Sequence, residues 1–188
     1  MGSETALLRL FVTVLILVIA SSASATEAGW ALLRDGEHVV LLRHAMAPGA
    51  ADPANFDIEK CSTQRNLSER GKQQARKIGA LFAARAAPTE RVLTSRYCRT
   101  KETAQLAFGD AEEFAPLDPP PADENARKEQ VEAITQEIRN YSGSGNLVLV
   151  THAETIQALT GESAREGEAV IVGPTENGLR VLGRINFN

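Results

Sequence analysis

The sequence predicts an α/β fold, a three-layer sandwich with a mostly parallel central sheet, an antiparallel edge and helices on both faces. Three observations carry this expectation. Short apolar, β-branched runs recur at residues 38–42 (HVVLL), 91–95 (RVLTS) and 146–151 (NLVLVT), the composition of strands covered on both faces. Helical patterns separate these runs in the order β-α-β-α-α-β, which fits parallel strands joined by crossover helices. After the last of them, two further apolar runs flank a turn-forming stretch, as in a terminal hairpin.

Residues 1–25 are expected to lie outside this fold. Arg9 precedes the apolar run 10–20, and Ala23-Ser24-Ala25 forms an A-x-A site before Thr26, the pattern of a cleaved secretory signal peptide. The run has 11 residues where a membrane span needs about 20; reading on through the small residues gives an uncleaved anchor as the alternative. Residues 26–188 then form one domain, periplasmic or secreted, with no stable membrane insertion once the leader is removed. A core of that size buries about 70% of the unfolded chain's surface and needs no disulfide to fold. Export nonetheless places Cys61 and Cys98 where oxidation is permitted, so pairing is expected, two buried thiols being the alternative. A cysteine phosphatase needs an arginine six positions after its nucleophile, and those positions hold Leu67 and Ala104.

The elements follow in chain order. After the first strand, Ser68 can cap a helix whose apolar face is Ala75, Ile78, Gly79 and Phe82. The second strand is followed by a helix over residues 100–108. Residues 115–123 (APLDPPPAD) carry four prolines and read as a stiff surface loop near the mouth of the sheet. Val131, Ile134 and Ile138 form the stripe of a third helix, and the third strand is followed by a short helix, residues 154–159, that ends at Gly161. Residues 169–172 and 179–185 flank the turn 174–178 (PTENG).

Charge narrows the function. With 20 Lys+Arg against 24 Asp+Glu and a net charge of −4, no dense basic run is present, so a sequence-independent nucleic-acid binder is not expected. Ligands of open parallel sheets bind beyond the carboxyl ends of the strands. Here strand one ends in Arg43-His44, strand two leads into Ser95-Arg96-Tyr97-Cys98-Arg99, and strand three ends in Thr151-His152. A single histidine or arginine at a strand end is ordinarily structural; two histidines and three arginines converging on one edge are not. Such a group suits phosphoryl transfer. A phosphomonoester carries about −1.5 to −2 charge, which paired guanidinium groups neutralise through bidentate hydrogen bonds. Their charge also keeps a neighbouring imidazole neutral and nucleophilic. No metal or other cofactor is required. A zinc site of His38, His44 and His152 is disfavoured, because the strand places His38 about 20 Å from His44.

These residues resemble the histidine phosphatase superfamily, the phosphoglycerate mutase-like and acid phosphatase-like proteins. Leu41-Leu42-Arg43-His44-Ala45 is similar to its signature, with alanine where many members have glycine. Residues 67–75 (LSERGKQQA), 95–104 (SRYCRTKETA) and 150–152 (VTH) match its first helix start, its S-x-x-x-R-x-x-x-T-A element and its second-histidine strand, in the family's order. The resemblance implies a phosphoglycerate mutase-like fold, with His44 as the nucleophile that becomes phosphohistidine, Arg43 and Arg99 as the phosphate clamp, and His152 as a further phosphate ligand.

The proton donor departs from the mutase-like pattern, in which a glutamate follows the S-x-x-x-R helix. That region offers Glu112, Glu113, Asp118, Asp123 and Glu124. His152-Ala153-Glu154 instead resembles the His-Ala-Glu element of multiple inositol polyphosphate phosphatases, which makes Glu154 the expected general acid and Asp118 the second choice. Gln64, Arg65 and Asn66 lie where a phosphate-sized ligand could reach them but read first as a polar approach to the first helix, Arg96 reads as a surface residue, and Tyr97 as half-buried packing, a sugar contact being the alternative. The expected function is a metal-independent, exported phosphomonoesterase acting on a phosphorylated small molecule or glycan. Small exported members of the family assigned to lipopolysaccharide core heptose phosphate suggest one such substrate. The alternatives are a phosphohistidine protein phosphatase and a non-catalytic periplasmic phosphate binder, the latter motivated by Ala45 and the unsettled donor.

Overall fold

The computed structural model describes residues 26–187; the expected leader, residues 1–25, lies outside the described residues. Residues 26–35 form a helix, α1, ahead of strand β1 (Val39–Arg43). Then come α2 (Glu69–Ala84), β2 (Thr89–Thr94), α3 (Cys98–Phe108), the short strand β3 (Glu112–Glu113), α4 (Glu124–Asn140), β4 (Asn146–Thr151), α5 (Ala153–Thr160) and the hairpin β5 (Glu168–Thr175) and β6 (Gly178–Asn186). The sheet order is β3-β2-β4-β1-β5-β6. The first four of these strands run parallel, and β5 and β6 are antiparallel, so the predicted mixed sheet and its antiparallel edge are both present.

The pleat sorts the strand side chains into two cores. Val40, Leu42, Val148, Val150 and Ile171 face one way and pack with Trp30 and Leu33 of α1, Ile78 and Phe82 of α2 and Ala104 of α3. Val39, Leu41, Leu147, Leu149 and Val170 face the other way, onto Ile134 and Ile138 of α4 and Ile156 of α5. All six β4 residues are buried, which is why its four central residues, Leu147 to Val150, are all apolar instead of alternating. Truncating a fully buried side chain such as Leu41 to alanine costs about 2–5 kcal/mol.

Local signals set the helix ends. Ser68 Oγ accepts from Gly71 N–H at 3.0 Å at the start of α2, as the cap predicts. Gly71 itself is required by contact, since a Cβ there would lie 2.1 Å from Met46 O, and this seats the helix against the segment that follows β1. Gly161 closes α5 with φ of 74°. The proline-rich segment differs from the expected surface loop. It holds a 3₁₀ turn, Ala115–Leu117, and both Leu117 and Asp118 are buried. Thr151 Oγ1 and Thr155 Oγ1 donate to the carbonyls of Leu117 and Asp118, so the segment is tied to the end of β4 and the start of α5. No helix among the described residues is long and apolar enough to cross a membrane.

Candidate active site

The register places the site. Arg43 is opposite Thr151, and Thr94 is opposite Val150, so β1, β4 and β2 end side by side at one edge. His44 and His152 each follow their strand by one residue, and both are 1% exposed, with ring centroids 5.6 Å apart. Of the five residues predicted for the site, Arg43, His44, Arg99 and His152 are brought together here. His38, by contrast, precedes β1 at its far end.

His44 Nδ1 lies 2.8 Å from the carbonyl of Ala45, an acceptor only, so Nδ1 carries the proton and Nε2 presents a lone pair. Burial pushes the His44 pKa down to about 3, assisted by Arg99, Arg43 and Arg65 and opposed by the bond to Ala45. Ala45 fits without strain: it is fully buried, lacks a positive φ, and its amide donates to Thr103 Oγ1 at 3.0 Å. Alanine in place of the family's more frequent glycine thus leaves the nucleophile's support intact.

His152 is held at both nitrogens. Nε2 is 2.8 Å from Ser95 Oγ, and Nδ1 is 3.3 Å from Arg99 Nη2. Because a guanidinium only donates, Nδ1 accepts and Nε2 bears the proton. Burial, then Arg99 and His44, lower the His152 pKa well below its usual value. Both imidazoles are therefore neutral.

Arg99, 4% exposed, sits under the face of Tyr97 at 4.6 Å and bonds Asp52 at 3.0 and 3.2 Å. Arg43 donates to the Ala164 carbonyl at 2.8 Å and lies 3.8 Å from Glu166. The Nε atoms of Arg43, Arg65 and Arg99 are buried and lack a hydrogen-bond partner. Unfilled donors on three guanidinium groups around a free imidazole nitrogen make a receptor for a tetrahedral oxyanion.

Asp52, which the sequence did not single out, and Arg65, read there as a polar approach, belong to this arrangement. Asp52 accepts from Arg65 N–H at 2.7 Å as well as from Arg99, and Arg65 acts on both histidines electrostatically. Both lie in the long irregular segment between β1 and α2, where neither period 2 nor period 3.6 can rank residues. Gln64 and Asn66 are structural: Gln64 accepts from Cys98 N–H at 2.9 Å, and Asn66 donates to backbone carbonyls. Cys61 and Cys98 are disulfide-bonded, which pins this segment to the start of α3.

The candidate acids separate clearly. Glu112 pairs with Arg91 and Glu113 with Lys101 on the β3 edge, and neither is engaged with the histidines. Asp118 has one oxygen on Arg96 N–H at 2.9 Å and the other on its side chain at 2.8 and 2.7 Å. Asp123 caps α4 by accepting from Ala126 N–H, and Glu124 pairs with Lys128. Glu154 is exposed in the first turn of α5 and has no ion pair among the described residues. It lines a groove of about 450 Å³ with Pro119, Pro120 and Arg127.

Residues 39–119 match the model of the histidine phosphatase superfamily, branch 1. No curated protein sequence matches the chain. Among solved structures, the Rv3214 protein of Mycobacterium tuberculosis is similar with a TM-score of 0.62 at 15% identity, over 80% of this chain and 98% of that one. A phosphoglycerate mutase of Thermus thermophilus gives 0.57 at 20% identity, over 80% and 99%. The protein histidine phosphatase SixA, solved with tungstate, gives 0.53 at 19% identity, over 80% and 97%. At these identities the likeness is one of fold. Over residues 39–119 the chain matches the histidine phosphatase superfamily, and the motif residues of that segment converge at one sheet edge.

Proposed function

We propose that the protein is an exported phosphomonoesterase that works through a phosphohistidine at His44 without a metal. The observation that carries this reading is the unprotonated Nε2 of His44 among Arg43, Arg65 and Arg99, whose spare donors suit a phosphate. The ester phosphate binds these guanidinium groups, and its remaining proton moves to His152 Nδ1, which then donates back to it. Nε2 attacks phosphorus, the P–N bond forms, and the P–O bond to the leaving group breaks in line. Glu154 protonates the departing alkoxide. Its carboxylate then takes a proton from water, which attacks phosphorus, breaks the P–N bond and releases inorganic phosphate. Glu154 is favoured over Asp118 and Asp52 because guanidinium or amide donors already occupy both oxygens of each of those acids.

For the substrate we favour a phosphorylated sugar such as a lipopolysaccharide core heptose phosphate. Phe56, exposed and stacked at 5.2 Å on Tyr97, which itself contacts Arg99 and His152, offers an aromatic face on which a sugar ring can rest. The fold shared with SixA, a protein histidine phosphatase, keeps a phosphohistidine protein substrate as the second reading. The two differ in leaving group, an alkoxide or an imidazole.

The test is hydrolysis of a panel of phosphate esters and a phosphohistidine peptide by the purified protein with chelator present. Turnover of sugar phosphates supports the proposal, and turnover confined to the phosphopeptide favours the second reading. Binding of phosphate with no turnover of either leaves the non-catalytic binder. In the same assay Glu154→Gln is expected to slow alkyl esters at least about tenfold more than aryl esters, since only the poor leaving group needs the proton. Equal losses on both would remove Glu154 from the acid's role.

A further inference from the structure

Beside the nucleophile lies a second cavity, of about 770 Å³, whose charged lining is Arg43, Arg65, Arg70, Arg165 and Glu166. Four guanidinium groups thus face one carboxylate, in a chain whose net charge is −4. That carboxylate is already engaged, by Ala47 N–H at 3.3 Å and by Arg43 at 3.8 Å. The guanidinium groups of Arg65, Arg70 and Arg165 have no carboxylate partner among the described residues, whereas those of Arg34, Arg85, Arg91, Arg96 and Arg184 all do. Buried Nε donors of Arg43 and Arg65 are also unfilled.

The cavity is built into the site's own scaffold. Gly167 N–H donates to the carbonyls of Arg43 and His44 at 3.3 and 3.0 Å, which fastens the loop carrying Arg165 and Glu166 to the nucleophile's backbone. Arg65 is fixed by Asp52 and by its own bond to the Gly49 carbonyl. Arg43 and Arg65 therefore border the phosphate site and this cavity at once. One transferred phosphate is neutralised by about two guanidinium groups, and Arg43 and Arg99 already supply them. Arg70 and Arg165 are surplus to that need.

We infer that this cavity is a second anion subsite and that the preferred substrate carries another phosphate besides the one transferred. The inference rests on the phosphatase reading for the identity of the first phosphate and adds the class of substrate, a sugar or polyol bisphosphate. Arg70 and Arg165 bind the spectator phosphate, and Arg65, shared by both sites, links them.

The test is equilibrium binding, independent of turnover. Fructose 1,6-bisphosphate and fructose 6-phosphate are titrated by calorimetry into the His44→Ala protein, alone and combined with R70Q and R165Q. A control combines it with R76Q and R180Q, which makes the same change in net charge outside the cavity. The expected result is at least about tenfold tighter binding of the bisphosphate, a preference lost with R70Q and R165Q and kept in the control. Added salt should shrink it further. Equal affinities for the two sugars, binding of neither, or a preference that survives R70Q and R165Q overturns the subsite. Failure of the phosphatase reading shows instead as absent hydrolysis of any ester by the unmodified protein, whatever the binding ratio.

Discussion

The ends of β1 and β4 are neighbouring copies of one design, a buried parallel strand followed by a histidine, and they are prepared for different work. His44 spends its Nδ1 proton on a backbone carbonyl, so its Nε2 is free. His152 has Ser95 on one nitrogen and Arg99 on the other, so neither is available to bond phosphorus. Both rings are buried and both are held neutral by that burial and by the surrounding arginines. Burial thus sets the protonation state, and the hydrogen-bond partner sets the role. In the proposed reaction Arg99 turns to the bound phosphate and leaves His152 Nδ1 free to take up a proton and donate to it, while Ser95 keeps the ring in place.

The largest expected effects separate these two residues. His44→Asn should abolish turnover to the limit of a continuous phosphate-release assay. His152→Asn should lower kcat about 10²–10³-fold, the usual cost of a transition-state ligand, while a phosphoenzyme still forms. Loss of the phosphoenzyme in both variants would erase the distinction.

Next is the segment that supports one end more than the other. Residues 45–68 carry Asp52 and Arg65 and are pinned by Cys61–Cys98. Replacing both cysteines with serine should cost about 3–4 kcal/mol of stability, read by urea unfolding. It should also raise KM more than it lowers kcat, because β1 and β4 do not depend on the bond. A fall in kcat with KM unchanged would mean that the segment helps to set His44 itself.

The smallest effect is on pH. Both histidines have folded pKa values below the ordinary 6.5, so below that pH the unfolded chain binds protons that the native state refuses, for His44 down to about 3. Stability is then fully present above pH 6.5 and falls as pH drops toward 3. His44→Asn should make this slope shallower by up to about 1.4 kcal/mol per pH unit, measured as unfolding free energy across pH 4–6.5. An unchanged slope would show that His44 is not held neutral in the native state.

The strands and helices that build the sheet were legible because each has its own period or its own cap. The run 146–151 became β4 residue for residue, Ser68 capped α2, and Gly161 closed α5. Strand ends then implied the meeting of Arg43, His44, Arg99 and His152, since parallel neighbours must finish at the same edge. What escaped lacks such a signal. α1 follows directly on the residues read as a leader, and β3 is two glutamates paired at an edge, too short for any pattern. The proline-rich stretch reads as exposed from composition, yet Leu117 and the threonines at β4 and α5 draw it inward. Asp52 joins the site through its tertiary contact with Arg99, and Arg65 through its charge near the histidines, which no local window can see.

The most direct test of the central claim is to mix the protein with a ³²P-labelled ester, quench in alkali to preserve a P–N bond, and map the label by peptide sequencing. The account predicts acid-labile, alkali-stable label on His44 and none on His152. Label on His152, or steady turnover with no label on either ring, would contradict it.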